Sequence, residues 1–196
     1  MKIFFFSFSL CTLLFACTSQ EKHAQIVQEK SSVEISNDIF PVTNFIKGQV
    51  VEMQNNGVNP LKITTRGDHS DSVWLKVEEL ENAFADFLSP TIDSTVMGRF
   101  FRENKFLDQT LDSYTFTYEP ITELPDSLKV RRWDVYINPK NSTVKRIYIE
   151  KINELNNQLQ LTWQSNEWCK IVTLSVDKSG NEALVKEELI KWKFEQ

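Results

Sequence analysis

Between residues 158 and 164 the chain reads Gln-Leu-Gln-Leu-Thr-Trp-Gln, a strict alternation of polar and apolar side chains. Successive side chains on a strand point to opposite faces, so this segment suits a sheet with one face on a core; a helix would scatter it around its circumference. The same period of two recurs from about residue 104 onward. Tyr114, Phe116 and Tyr118 alternate with Thr115 and Thr117, and Trp133, Val135 and Ile137 with Asp134 and Tyr136. Ile147 and Ile149 face one way, Arg146 and Tyr148 the other. Val172, Leu174 and Val176 fall in step with Trp168, and Ile190, Trp192 and Phe194 with one another. The gaps carry turn chemistry, as in Asn138-Pro139-Lys140-Asn141, Ser165-Asn166-Glu167 and Lys178-Ser179-Gly180-Asn181. Strands joined by such short loops pair antiparallel with their neighbours.

Before residue 104 the period is closer to that of a helix. Asp38 is placed to cap a helix with Pro41 in its first turn; Phe45, Ile46, Val50 and Met53 continue it to a stop at Asn55-Asn56-Gly57. Leu61–Thr65 reads as a brief strand and 66–72 as a polar loop. A second helix is expected from Val77 to Leu88, with Leu80, Phe84, Phe87 and Leu88 on one stripe and Glu78, Glu79, Glu81 and Asp86 opposite. Ser89-Pro90 ends it, and 93–101 suits a further short helix. The expected fold class is α+β: N-terminal helices packed on one face of a mostly antiparallel, meander-type sheet of about five to six strands. Residues 38–196 form a single domain in this reading.

The first residues have a different character. Met1-Lys2 precedes an uncharged, mostly apolar run, Ile3 to Ala16, which is the layout of a secretory signal peptide. The run is shorter than the ~20 residues that span hydrocarbon. It ends in Leu14-Phe15-Ala16-Cys17, which resembles the lipobox of bacterial lipoproteins. That resemblance implies removal of residues 1–16, a diacylglyceryl group on the Cys17 thiol and a membrane partner through that lipid. Buried acyl chains are worth ~0.8 kcal/mol per CH₂, so two or three hold firmly. Residues 17–37 then read as a lipidated tether. With its aromatic, Asn- and Lys-rich style the chain resembles small lipoproteins of the Bacteroidota. The acidic cluster that directs such proteins to the cell surface is missing from Thr18-Ser19-Gln20-Glu21-Lys22. The expected location is therefore the inner or outer membrane, facing the periplasm, with the cell surface as the alternative, and the resemblance carries over no functional residue except Cys17.

Loss of Lys2 with the signal peptide leaves 21 basic and 27 acidic residues, a net charge of about −6. Such a balance lacks the electrostatic footprint of a nucleic-acid partner. Cys11 leaves with the signal and Cys17 carries lipid, so Cys169 has no partner for an intramolecular disulfide. No Cys/His spacing suggests a metal, no motif implies a cofactor, and no catalytic residue is assigned. Asp68-His69-Ser70-Asp71 crowds a histidine, a hydroxyl and two carboxylates, which leaves a hydrolase using the 66–72 loop as one alternative; ordinary turn chemistry is the default. Cys169 reads as core. The aromatic set Tyr114, Phe116, Tyr118, Trp133, Trp163, Trp168 and Trp192 reads mainly as core too. Where helices leave the sheet uncovered, it would line an apolar ligand groove. The opposite face carries Tyr136, Tyr148, Thr162 and Gln-rich positions suited to a glycan or a partner. The functional expectation is a non-enzymatic binding or carrier module taking an apolar small molecule or an envelope protein. A protein-interaction scaffold is the first alternative.

Overall fold

A computed structural model of the chain describes residues 39–194, so the expectations for the signal peptide, Cys17 and the tether lie outside the described residues. The chain first forms a helix, α1 (Val42–Asn55), then a hairpin of β1 (Leu61–Arg66) and β2 (His69–Trp74). Three single-turn helices follow a 3-10 turn at Val77–Glu79: α2 (Leu80–Ala83), α3 (Ala85–Leu88) and α4 (Ser94–Met97). Seven more strands complete the fold: β3 (Phe101–Asp108), β4 (Ser113–Pro120), β5 (Val130–Ile137), β6 (Val144–Ile152), β7 (Gln158–Gln164), β8 (Trp168–Val176) and β9 (Glu182–Lys191).

All nine strands join one sheet in the order β2-β1-β9-β8-β7-β6-β5-β4-β3, and every pairing is antiparallel. This corrects the α+β expectation of helices on a sheet of five to six strands. The described chain is mostly one nine-stranded antiparallel sheet, and α1 is its single helix longer than one turn. The missed strands explain the error. β2 and β3 are the two edges of the sheet, and neither has a continuously buried face: β2 is exposed at every position, and β3 at five of eight. Without a core face there is no alternation to read. The supposed loop 66–72 is thus the turn and most of the outer strand of a hairpin, closed by Gly67 at φ +53° and Asp68.

The helix expected over Val77–Leu88 is also broken, at Phe84, where φ −102° and ψ 9° leave the helical region. The break brings both Phe84 and Phe87 onto the indole of Trp163, edge to face, at centroid distances of 5.2 and 5.3 Å. A continuous helix was the simplest reading of an apolar stripe, and aromatic packing against one tryptophan overrides it.

The core lies on one face of the sheet. Ile147, Ile149, Leu159, Leu161, Trp163, Cys169, Ile171 and Ile190 come from strands; Val42, Ile46, Val50, Met53, Leu80, Phe84, Phe87 and Met97 come from helices. Trp163 Nε1–H donates to Gln49 Oε1 at 2.7 Å, and the Asn166 N–H donates to the same oxygen at 3.2 Å, which pins α1 to the β7–β8 turn. Lys151, 6% exposed, reaches across from β6 to the carbonyls of Asp86 and Ser89 at 2.6 and 2.9 Å and to the Asp86 carboxylate at 2.8 Å. These bonds satisfy the Asp86 and Ser89 carbonyls at the C-terminal end of α3, while the Ser89 N–H donates to the Ala85 carbonyl. Glu188 is the other buried charge on this face, 2.6 Å from both Lys62 and Lys186.

Candidate functional site

The seven aromatics read from the sequence as groove residues occupy three environments. Tyr118, Trp133 and Trp163 are fully buried, and Tyr118 stacks on Trp133 at 4.7 Å. Trp192, partly buried, packs at 5.0 Å on Trp163. Phe116 and Tyr118 line a shallow cleft of about 380 Å³ with Phe40, Glu103, Lys105 and Ile137, while Tyr114 is 48% exposed. Trp168 is on the opposite, outer face of the sheet. The structure therefore brings Phe116 and Tyr118 together at one cleft, separates them from Trp163 and Trp192, and places Trp168 in a second cleft.

That second cleft, of about 640 Å³, is lined by Glu167, Trp168, Lys170, Leu189, Lys191, Lys193 and Phe194. Its residues come from the turn before β8, the start of β8, the end of β9 and the segment after β9. Phe194 rests at 5.6 Å on Trp74 of β2, and both are well exposed, at 47% and 58%. Two of the three lysines are paired, Lys170 with Glu187 and Lys193 with Glu167, each at 3.1 Å. Lys191 has no carboxylate partner among the described residues. Of the cleft's neighbours, Trp74 is the aromatic that the sequence reading misses. Trp74 ends an edge strand without alternation and so carries no periodic signal, whereas Phe194 is in step with Ile190 and Trp192.

Strand register extends this cleft into a row across the outer face. Trp74 pairs with Leu61, Leu61 with Lys191, Lys191 with Trp168, and Trp168 with Gln164. Gln164 then pairs with Arg146, and Arg146 with Tyr136. Arg146 donates from Nε to the Gln164 side-chain oxygen at 3.1 Å. Tyr136 at the end of this row hydrogen-bonds to Asp134 at 3.4 Å, and Tyr148, a row further along the strands, to Glu150 at 3.1 Å. Burial, reinforced by the adjacent carboxylates, raises both phenols above the usual tyrosine range, so they remain neutral donors.

His69 is exposed at the start of β2 and makes no ion pair with an acid among the described residues; the Asp71 carboxylate instead accepts from the Ser72 N–H at 2.8 Å. Nothing there orients the imidazole as a base. Cys169 is fully buried, and burial pushes its thiol well above the usual range, which suits packing and opposes thiolate chemistry. Among the described residues no three His, Cys, Asp or Glu side chains converge as metal ligands, and no helix is long and apolar enough to cross a membrane. The Trp168 cleft offers stacking surfaces and cations, which is the chemistry of binding. Comparison with protein-family models, with curated proteins and with solved structures finds no match to this chain.

Proposed function

We propose that this chain is a lipid-tethered, non-enzymatic binding module of a bacterial cell envelope, facing the periplasm, with its ligand surface at the Trp168 cleft. The observation that carries the binding role is the cleft itself. It combines Trp168, Phe194 and the adjoining Trp74, all accessible, with Lys170, Lys191 and Lys193 around them. Exposed aromatics bordered by charge mark interaction surfaces, since they leave apolar area in water for no benefit to the fold. Tethering rests on the Leu14-Phe15-Ala16-Cys17 sequence. Intact-mass measurement of the purified protein should find a chain beginning at Cys17 and carrying acyl mass. An unmodified N-terminus, or one cut elsewhere, removes the tether from the proposal.

The anionic dye anilinonaphthalene sulfonate, an aromatic plate with one negative charge, tests the cleft. The folded protein should bind it saturably at neutral pH. Trp168→Ala should weaken binding roughly tenfold, the size expected from losing one stacking partner. Tyr114→Ala, on the other side of the sheet, should leave binding unchanged. Saturable binding lost on Phe116→Ala but kept in Trp168→Ala would move the ligand surface to the Phe116–Tyr118 cleft. No saturable binding at all would contradict the proposal.

A further inference from the structure

The row that runs out of the Trp168 cleft has a period of its own. Read by register, Trp74, Leu61 and Lys191 are followed by Trp168, Gln164 and Arg146, and then by Tyr136. Aromatic, neutral, cationic repeats twice and begins a third time. Strands are ~4.8 Å apart, so aromatics recur about every 14 Å and the row extends about 29 Å. From this we infer that the outer face binds an extended anionic glycan, a sugar polymer bearing carboxylate or phosphate groups, laid across the strands along this row. The inference rests on the binding-module reading and names its ligand.

Three features select this class. Sugar rings present apolar faces that stack on indole and phenol rings, and a polymer presents them at intervals, as the row does. The row's cations are not neutralised within the protein. Lys191 has no carboxylate partner among the described residues, and Arg146 is hydrogen-bonded to a neutral amide. In the next row Lys170 is paired with Glu187. Two rows away, Glu187, Val172, Gln160, Glu150 and Arg132 are aligned by register, with Glu187 already paired to Lys170 and Glu150 opposite Arg132. Among the described residues, the cations of this face that are left without an acid partner thus lie on the row of Lys191 and Arg146, where a polyanion would be drawn. A bilayer has no linear period to match, and a nucleic acid would demand a denser array of cations than two per six strand spacings.

Calorimetry on the full chain with oligomannuronate hexamer, its dimer, neutral cellohexaose and polyglutamate tests the inference. The hexamer should bind at least about tenfold tighter than the dimer, because only the longer chain reaches successive aromatics. Lys191→Gln and Arg146→Gln, both at surface positions, should each weaken it several-fold while circular dichroism stays unchanged. Cellohexaose and polyglutamate should bind far more weakly. A hexamer no tighter than the dimer overturns the inference, and so does polyglutamate binding equally well. Adsorption to phosphatidylglycerol vesicles that Arg146→Gln abolishes, without hexamer binding, assigns the row to a membrane and overturns it too. If the anionic dye binds at Trp168 and the hexamer does not, the inference fails and the binding module stands; if neither binds, both fail.

Discussion

Trp163→Ala is expected to destabilise the folded domain by about 3–5 kcal/mol, the range for removing a fully buried large aromatic. No part of this side chain is exposed, and three rings, Phe84, Phe87 and Trp192, converge on it at 5.0 to 5.3 Å. Its loss also leaves Gln49 without the 2.7 Å bond that ties α1 to the sheet. Urea unfolding measures the cost directly. Trp163→Phe separates the two contributions: it keeps most of the packing and loses the N–H, so a smaller cost of about 1–2 kcal/mol is expected. A cost below about 1.5 kcal/mol for Trp163→Ala would mean that the short helices do not pack on this indole as described.

The second large effect concerns Glu188. Its carboxylate is nearly buried on the core face and holds Lys62 and Lys186 at 2.6 Å each, with Cys169 nearby. Burial raises its pKa, but bonds and charges from Lys186 and Lys62 outweigh burial and leave it lowered. A carboxylate lowered in the folded state contributes stability above its unfolded pKa and loses it as pH falls through the folded value. Replacing it by Gln leaves two lysine ammonium groups facing each other without an acid, at an expected cost of about 2 kcal/mol at neutral pH. The gap between wild type and Glu188→Gln should hold constant above about pH 5 and shrink as the pH falls further. A gap that persists unchanged into strong acid would show that the carboxylate is not paired in solution.

How much of this was legible in the residues depended on burial. β5, β6, β7 and β8 each have one face on the core, and their alternation placed Trp133, Ile147, Leu161 and Trp163 on that face from sequence alone. β2 and β3 lie at the sheet edges, where no covered face filters the side chains, so their strands were invisible and the sheet was undercounted. The break at Phe84 was hidden for the opposite reason, because a stripe of apolar residues is the same whether one helix or two short ones present it. The Trp168 cleft was only half legible. Alternation separates Trp168 from Cys169, but nothing in the sequence announces that β8, β9 and β2 bring Trp168, Lys191 and Trp74 into one row. That convergence is a product of strand order, with β9 inserted between β1 and β8.

Amide chemical-shift mapping of the nitrogen-labelled protein during titration with anilinonaphthalene sulfonate tests most directly whether the outer face is a binding surface. The largest shifts should fall at Trp168, Lys170, Leu189 and Lys191 and at the indole N–H of Trp74, with Ile147, Leu161 and the rest of the buried face unmoved. Shifts centred instead on Lys105, Phe116 and Tyr118, or shifts too small to trace a saturable site anywhere, would contradict it.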